Sequence, residues 1–314
     1  MKFGLAVGSV GMLMATTAHA ATIDNDVASG TVGYFSVDVG DAGESRTGSI
    51  TANGQVSGTV TTEVIYDYFT YVDIGSGGFR LSGTTTSGAA GAGDDTVDSA
   101  GSFTGSGGNQ IDWSASSSIA DGDSRMVTTF NFSAATGTLG DITLFQYLDE
   151  DVLGVSDDVF FTRGSVAGES LELFTVDDDE LIGISHGGAY SDAMGLVNAS
   201  FEGWAADEYN SMKPRIEAGN QTLSLSGVIE PDMVSAGTTS IAGIGTVRGP
   251  LDVVSVLGWS VSADASSATI ITTLGGVPDV TDIPDPDVVP LPAAAWLLIG
   301  GLGALGVAGR RRKA

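Results

Sequence analysis

The sequence has 314 residues, of which 39 are acidic and 12 are basic, and its formal net charge is −27. A chain this acidic repels nucleic acid and anionic membrane surfaces and attracts cations, which excludes a nucleic-acid partner. It contains no cysteine, so disulfides, thiol catalysis, zinc–thiolate sites and iron–sulfur clusters are excluded as well.

The first 20 residues have the layout of a secretory signal peptide. Lys2 supplies a positive charge, and an apolar run from Phe3 to Met14 follows it. Ala18 and Ala20 then provide the small-residue spacing that signal peptidase recognises. We therefore predict export through the secretion machinery and cleavage after Ala20. The alternative is a retained anchor, for which this apolar run is short.

The acidic residues are concentrated between the two ends of the chain. Five of the 12 basic residues lie in the terminal segments, whereas all 39 acidic residues lie between those segments. The exported body therefore carries 39 negative charges against seven positive ones. Such a body stays soluble at high ionic strength, where salt screens its self-repulsion.

A period-two pattern predicts β strands along most of the body. Apolar and polar side chains alternate from Val56 to Ile74, a span long enough to need a break. The turn signals Asn53-Gly54 and Asp121-Gly122 predict hairpins, the second one between residues 113–119 and 126–132. Further strands are predicted at residues 139–148, 171–176, 222–229, 253–261 and 268–274, and the last two are expected to be central and covered on both faces.

These elements predict one fold class. Only Trp204–Met212 suggests a helix, which Pro214 would end. The Gly- and Ser-rich stretch near residues 82–109 predicts a long flexible loop or a boundary between two β subdomains. We therefore expect an all-β body over residues 21–276, forming a β-sandwich of Greek-key or jelly-roll type, plus one C-terminal membrane helix.

Two acidic runs are the main chemical candidates in the body. Ca²⁺ takes roughly six to eight oxygen ligands, and loops between strands commonly supply them. Neither run has EF-hand spacing, so solvated turns are the alternative interpretation, and no other cofactor is predicted. The weak calcium candidates are Asp149, Asp151, Asp157, Asp158, Asp177 and Asp179.

One histidine and three tryptophans are further candidates for functional groups. His186 is the one histidine beyond the predicted signal peptide, and no G-x-S-x-G elbow accompanies it, so a surface or turn position is expected. Trp113, Trp204 and Trp259 are candidates for stacking on sugar rings. Trp259 lies in an apolar strand and is expected in the core, which leaves Trp204 as the expected exposed ring.

The C-terminal segment carries the most specific pattern in the chain. Residues 277–288 form a Pro- and Asp-rich linker. The motif that follows leads into an apolar run ending at Ala308, which is roughly 24 Å long as a helix. Its residues are Val289, Pro290, Leu291, Pro292 and Ala293, and the basic cluster at the end of the chain is Arg310, Arg311, Arg312 and Lys313.

This order of parts resembles the PEP-CTERM class of sorting signals, in its VPLPA-CTERM variant. The resemblance covers residues 289–314 and places Leu291 where the parent motif has an acidic residue. It implies that an exosortase-type membrane protease is a partner of the chain. It also implies that the chain is first tethered in the inner membrane, with the basic cluster in the cytoplasm. The body would then be transferred to the cell surface, often alongside exopolysaccharide. An ordinary C-terminal membrane anchor is the alternative.

Three functional hypotheses remain open for the body. The leading one is a sorted cell-surface or matrix protein with a non-catalytic structural role and no catalytic residues. The first alternative is a carbohydrate-binding or calcium-dependent adhesive module. The second is a polysaccharide-acting hydrolase or lyase, which needs two carboxylates across a cleft.

Overall fold

The computed structural model describes residues 21–87, 95–150, 152–153, 157–208, 212–218, 223, 225–229, 237–241 and 244–277. The predicted signal peptide, Asp151 and the sequence from residue 278 onward, with the sorting motif and the basic cluster, lie outside these ranges. Within them, no helix is both long and apolar enough to cross a membrane.

The described residues form two large sheets with strands numbered along the chain. Sheet 1 has the order β1-β2-β3-β5-β11-β19-β15-β16, with β4 paired to β3 and β6 paired to β5. Its pairings are antiparallel except for β15 with β16. The strands are β1 (Ala21–Asp24), β2 (Phe35–Val39), β3 (Ser45–Gly54), β4 (Gly58–Glu63), β5 (Asp67–Asp73), β6 (Gly78–Arg80), β11 (Thr143–Asp149), β15 (Ala199–Glu208), β16 (Ser226–Ile229) and β19 (Val253–Val261).

Sheet 2 is antiparallel and has the order β17-β18-β12-β13-β14-β20-β10-β9-β8-β7. One short helix, α1 (Met212–Glu217), and 3₁₀ turns at Asp41–Gly43 and Asp192–Met194 complete the described elements. The strands are β7 (Thr84–Ser87), β8 (Asp95–Thr104), β9 (Gln110–Ile119), β10 (Arg125–Ala134), β12 (Asp158–Arg163), β13 (Glu172–Asp177), β14 (Gly183–Gly188), β17 (Thr238–Ile241), β18 (Gly245–Leu251) and β20 (Ser267–Val277).

The main core lies between the two sheets, and this arrangement fits a β-sandwich. Leu257 and Trp259 of β19 in sheet 1 belong to the same buried cluster as Phe130 and Phe132 of β10 in sheet 2. Alternate residues of each strand face this layer, because side chains of a strand point to opposite faces in turn. The prediction of an all-β body is therefore confirmed.

The outer faces of the two sheets differ. On sheet 1, Phe69, Tyr147 and Val256 form a second buried cluster with Met212 and Ile216 of α1. The helix therefore covers this face, and β5 is buried along its whole length. On sheet 2, strands β8, β9 and β10 alternate between buried and exposed residues, so their outer face is open to solvent.

The structure corrects the expected helix. Trp204 lies in strand β15, and the observed helix α1 begins at Met212, where the predicted one would have ended. Pro214 lies inside α1, in its first turn, where the missing N–H of proline has no helical partner to lose.

Other expectations are corrected in part. Two stretches of the expected loop at residues 82–109 are strands β7 and β8, which pair with each other in sheet 2. The strand expected at 268–274 is central as β20, but several of its outward residues are only half-buried. The hairpin joining β9 to β10 is confirmed, although Ile119 pairs with Met126, so its turn is longer than two residues.

Candidate functional site

The two acidic runs of the sequence meet at one end of the sandwich. Strands β12 and β13 pair there, with Asp158 directly opposite Asp177. The amide of Asp178 also donates to the carbonyl of Asp157 at 3.3 Å. Asp149 ends the inner strand β11, and its charge acts on Glu150, as does that of Asp158. Asp151 lies outside the described residues.

Part of this acidic end holds the fold together. Oδ1 of Asp177 accepts hydrogen bonds from the amides of Asp179, at 3.0 Å, and Glu180, at 2.6 Å. The Glu180 carboxylate in turn accepts the amides of Val56, at 2.9 Å, and Ser57, together with the Ser57 hydroxyl. The Ser57 hydroxyl and then these amides lower the pKa of Glu180. These contacts join the β13–β14 turn to the tip of the β3–β4 hairpin.

The described acidic residues and His186 include no group of three or more that could hold a metal ion. The six calcium candidates are therefore not brought together as one chelating set among the residues that the structure describes. Glu150, which was not among the predicted ligands, is the most unusual member of the acidic end. It is 3% exposed, and neither carboxylate oxygen has a hydrogen-bond partner.

A cationic and aromatic cluster lies on the outer face of sheet 1. The Phe69 ring has Cζ of Arg80 at 3.5 Å from its centroid, Cζ of Arg46 at 5.1 Å and Nζ of Lys213 at 5.2 Å. Nζ of Lys213 also lies 5.1 Å from the centroid of the Tyr147 ring. Three of the seven basic residues of the body therefore surround one phenyl ring.

Each of these cations is paired with a buried carboxylate. Lys213 forms an ion pair with Asp67, whose Oδ1 also lies 3.8 Å from Nε of Arg46. Nε of Arg80 donates to both oxygens of Glu44 at 2.7 Å. Burial raises the pKa of Glu44 to about 7, although the hydrogen bond and charge of Arg80 act in the opposite direction. These ion pairs therefore attach α1, through Lys213, and β6, through Arg80, to the rest of sheet 1.

The same cluster contains two facing carboxylates. Asp67 and Asp149 are direct cross-strand partners on β5 and β11. Burial raises the pKa of Asp149 to about 7, although the Tyr147 hydroxyl, which donates to Asp149 Oδ2 at 3.1 Å, lowers it. An acid of raised pKa beside an ion-paired carboxylate is a pattern used by glycosidases. However, the two residues are 5% and 1% exposed, which leaves no room for a sugar ring in contact with them.

Residues of both sheets line a groove. Trp204 of β15 in sheet 1 and Phe160 of β12 in sheet 2 contribute aromatic rings to it, with their centroids 5.8 Å apart. Arg248 and Thr246 of β18 also line the groove, together with Thr238 of β17. The cavity has a volume of about 310 Å³, at the lower end of the range for ligand pockets.

A bulge in β15 directs Trp204 into this groove. Phe201 and Trp204 are three residues apart, a spacing that would put them on opposite faces of a regular strand. The register to β19 shifts between Phe201 and Gly203, and both rings pack against the main core. Trp204 stays partly exposed, as predicted, and Trp259 is buried, also as predicted. Trp113 is buried and does not offer a ring to a ligand.

The prediction that His186 lies on the surface or in a turn is wrong. His186 lies in β14 and is fully buried between the sheets, with Nδ1 at 3.2 Å from Oγ of Ser255. Its ring meets the edge of Tyr68, and Nε2 has no hydrogen-bond partner. Burial lowers its pKa to about 3. The alternation of β14 would have placed it inward, but the flanking glycines obscured that pattern.

Comparisons with known proteins gave only structural matches of low sequence identity. No family model matches the chain, and no curated protein matches it either. A bacterial glucoamylase complexed with acarbose matches over 82% of this chain and 35% of its own length, with 11% identity and a TM-score of 0.45. The amine oxidase of Aspergillus nidulans matches over 90% of this chain and 56% of its own, with 10% identity and a TM-score of 0.30. The chain thus spans only part of either enzyme.

Proposed function

We propose that this chain is an exported protein, sorted to the cell surface or extracellular matrix, with a non-catalytic structural role. The sequence of the two ends supports export, inner-membrane tethering and processing by an exosortase-type protease. We also propose that the sandwich has Greek-key or jelly-roll connectivity, that the C-terminal segment forms a membrane helix, and that the protein associates with exopolysaccharide. One structural observation supports the proposal of a non-catalytic role.

That observation is the hydroxyl-rich outer face of sheet 2. Ser116 of β9 lies opposite Thr129 of β10, and Asn131 of β10 lies opposite Thr269 of β20. Thr269 Oγ1 donates to Asn131 Oδ1 at 2.9 Å, so the side chains interact along the face. This polar face offers many hydrogen-bonding groups to a hydrated matrix. A depression of about 400 Å³ on it is lined by small and hydroxyl-bearing residues and by one carboxylate, Asp98, whereas a polysaccharide hydrolase needs two carboxylates across a cleft.

Processing at the two ends tests the sorting part of the proposal. In the native host, the wild-type chain should yield a mature form that begins at Ala21 and lacks the C-terminal basic cluster. A Pro290→Ala, Pro292→Ala double variant should remain uncut in the inner membrane, because the protease would not recognise it. Fractionation, antibody detection and terminal sequencing of the product measure both outcomes.

A neighbouring substitution provides the control for this test. Asp287→Asn changes the linker just before the motif and should be processed like the wild type. An uncut wild-type chain among cytosolic proteins would contradict the proposal. Equal processing of the double variant and the wild type would contradict the role of the VPLPA motif.

The Trp204 groove favours carbohydrate binding as a second candidate function. The exposed part of an indole ring stacks on the apolar face of a sugar, and the guanidinium of Arg248 donates hydrogen bonds to hydroxyl or carboxylate oxygens. Thr238 and Thr246 add hydroxyl groups to the lining of the groove. The volume of about 310 Å³ suits a short segment of a glycan chain rather than a large ligand.

Substitution in the groove tests this second function. Trp204→Ala should weaken binding of the host exopolysaccharide at least roughly tenfold, as expected for a central aromatic contact. Tyr66→Ala removes an exposed aromatic ring in the β4–β5 connection and should leave binding unchanged. Affinity electrophoresis in gels that contain the polysaccharide measures both variants. Equal mobility of Trp204→Ala and the wild type would reject the groove as the binding site.

A further inference from the structure

Glu150 is a carboxylate buried in the sandwich without a partner. It directly follows β11, and its neighbours at two-residue spacing, Leu148 and Val152, both belong to a buried apolar cluster. Glu150 itself is 3% exposed, and both carboxylate oxygens lack hydrogen-bond donors. An ionised carboxylate buried in this way is strongly destabilising unless something neutralises it.

The surroundings of Glu150 supply negative charge. The carboxylates that act on it most strongly are those of Asp158, Asp149 and Asp252. Asp158 begins β12 in sheet 2, so the main influence comes from the opposite sheet. Burial raises the pKa of Glu150 well above its usual range, and these charges raise it further. The site therefore favours a bound proton or a bound cation over a free negative charge.

We infer that Glu150 and Asp158 hold a calcium ion between the two sheets at the acidic end of the sandwich. Two carboxylates would neutralise the two charges of Ca²⁺, and both are hard oxygen ligands. Because no third described acid or histidine completes a chelating group, main-chain carbonyls and water would fill the remaining positions, which calcium accepts. This inference is independent of sorting and of the Trp204 groove.

A cation at this position would join elements of both sheets. Glu150 belongs to the chain that leaves β11, and Asp158 to the strand that pairs with β13 and β18. The bound ion would therefore stabilise the folded state, which alone brings the two carboxylates together, and the gain would depend on calcium concentration. In a chain without cysteine, such a link replaces a covalent one.

Thermal unfolding of the full chain, purified in detergent and stripped with a chelator, tests this inference. Added calcium should raise the melting temperature by a few degrees. Glu150→Gln should lose that response, because the amide keeps the shape but not the charge. Asp264→Asn changes an exposed acid in the β19–β20 turn and should retain the full response. Isothermal titration with calcium chloride should show one site in the wild type.

Other results would overturn the inference. If calcium neither shifts the melting temperature of the wild type nor binds in the titration, Glu150 holds a proton instead. The same conclusion follows if Glu150→Gln responds to calcium as the wild type does. Should Glu150→Gln fail to fold, Asp158→Asn replaces it, and retention of the calcium response in that variant would equally reject the site.

Discussion

His186 shows how strongly the sandwich interior changes the chemistry of one side chain. The imidazole is fully buried, and burial lowers its pKa from the usual 6.5 to about 3. Nδ1 of the ring forms a hydrogen bond with Oγ of Ser255, and no described carboxylate is hydrogen-bonded to the ring. The histidine therefore stays neutral in the folded protein, whereas in the unfolded chain it takes up a proton below about pH 6.5.

This difference predicts a loss of stability in acid that depends on His186. Between pH 6.5 and pH 5 the unfolded state binds more protons at this site than the folded state, so the free energy of unfolding falls as the pH falls. Relative to His186→Asn, the wild type should lose roughly 2 kcal/mol over that interval. Denaturant titrations at several pH values measure it. Parallel curves for the two proteins would show that His186 is not the group responsible.

Helix α1 is an element whose position depends on charge. It has only six residues, too few to be stable alone, so tertiary contacts must hold it. Met212 and Ile216 supply the apolar contacts with sheet 1, and Lys213 supplies the ion pair with the largely buried Asp67. The same lysine contacts the faces of Phe69 and Tyr147.

Removal of the lysine charge should therefore loosen this element. Lys213→Met keeps the stem of the side chain but leaves Asp67 with only the longer contact to Arg46, and we expect a loss of about 2 kcal/mol. Arg125→Met breaks the more exposed pair with Glu172 and should cost less than about 1 kcal/mol. Urea unfolding compares the two variants. Equal losses would mean that the α1 contact is no stronger than a surface ion pair.

The elements that sequence patterns predicted are those with regular alternation. Strands β9, β10, β13 and β19 lie where the sequence indicated, because their buried and exposed residues, or their apolar runs, follow simple rules. The end of β15 was mistaken for a helix because Ala205 and Ala206 are both buried, one on each face of the sheet, so this stretch shows no period-two alternation. Strands β7 and β8 are rich in Thr, Ser and Asp and carry few apolar side chains, so composition suggested a loop.

At the scale of the whole molecule, the sites were less predictable than the fold. Acidic runs marked the correct end of the sandwich, but Glu150 stands out because it is buried and the opposite sheet brings Asp158 near it. The cluster around Phe69 joins Arg46, Arg80 and Lys213 from distant parts of the chain. Residues that are distant in sequence meet in this way because of the strand order, and the strand order cannot be read from local periodicity. The terminal signals are local patterns and stay sequence-based predictions.

Strand order also bears on how the chain is made and exported. Of the described strands, the last two to be synthesised, β19 and β20, take central places, β19 between β11 and β15 and β20 between β14 and β10. Sheet 1 stays in two parts until Val261 leaves the ribosome or the translocation channel, and sheet 2 stays in two parts until Val277 does so. The polypeptide should therefore stay unfolded during passage across the membrane and fold afterwards, and a truncation before β19 should yield fragments that aggregate or are degraded.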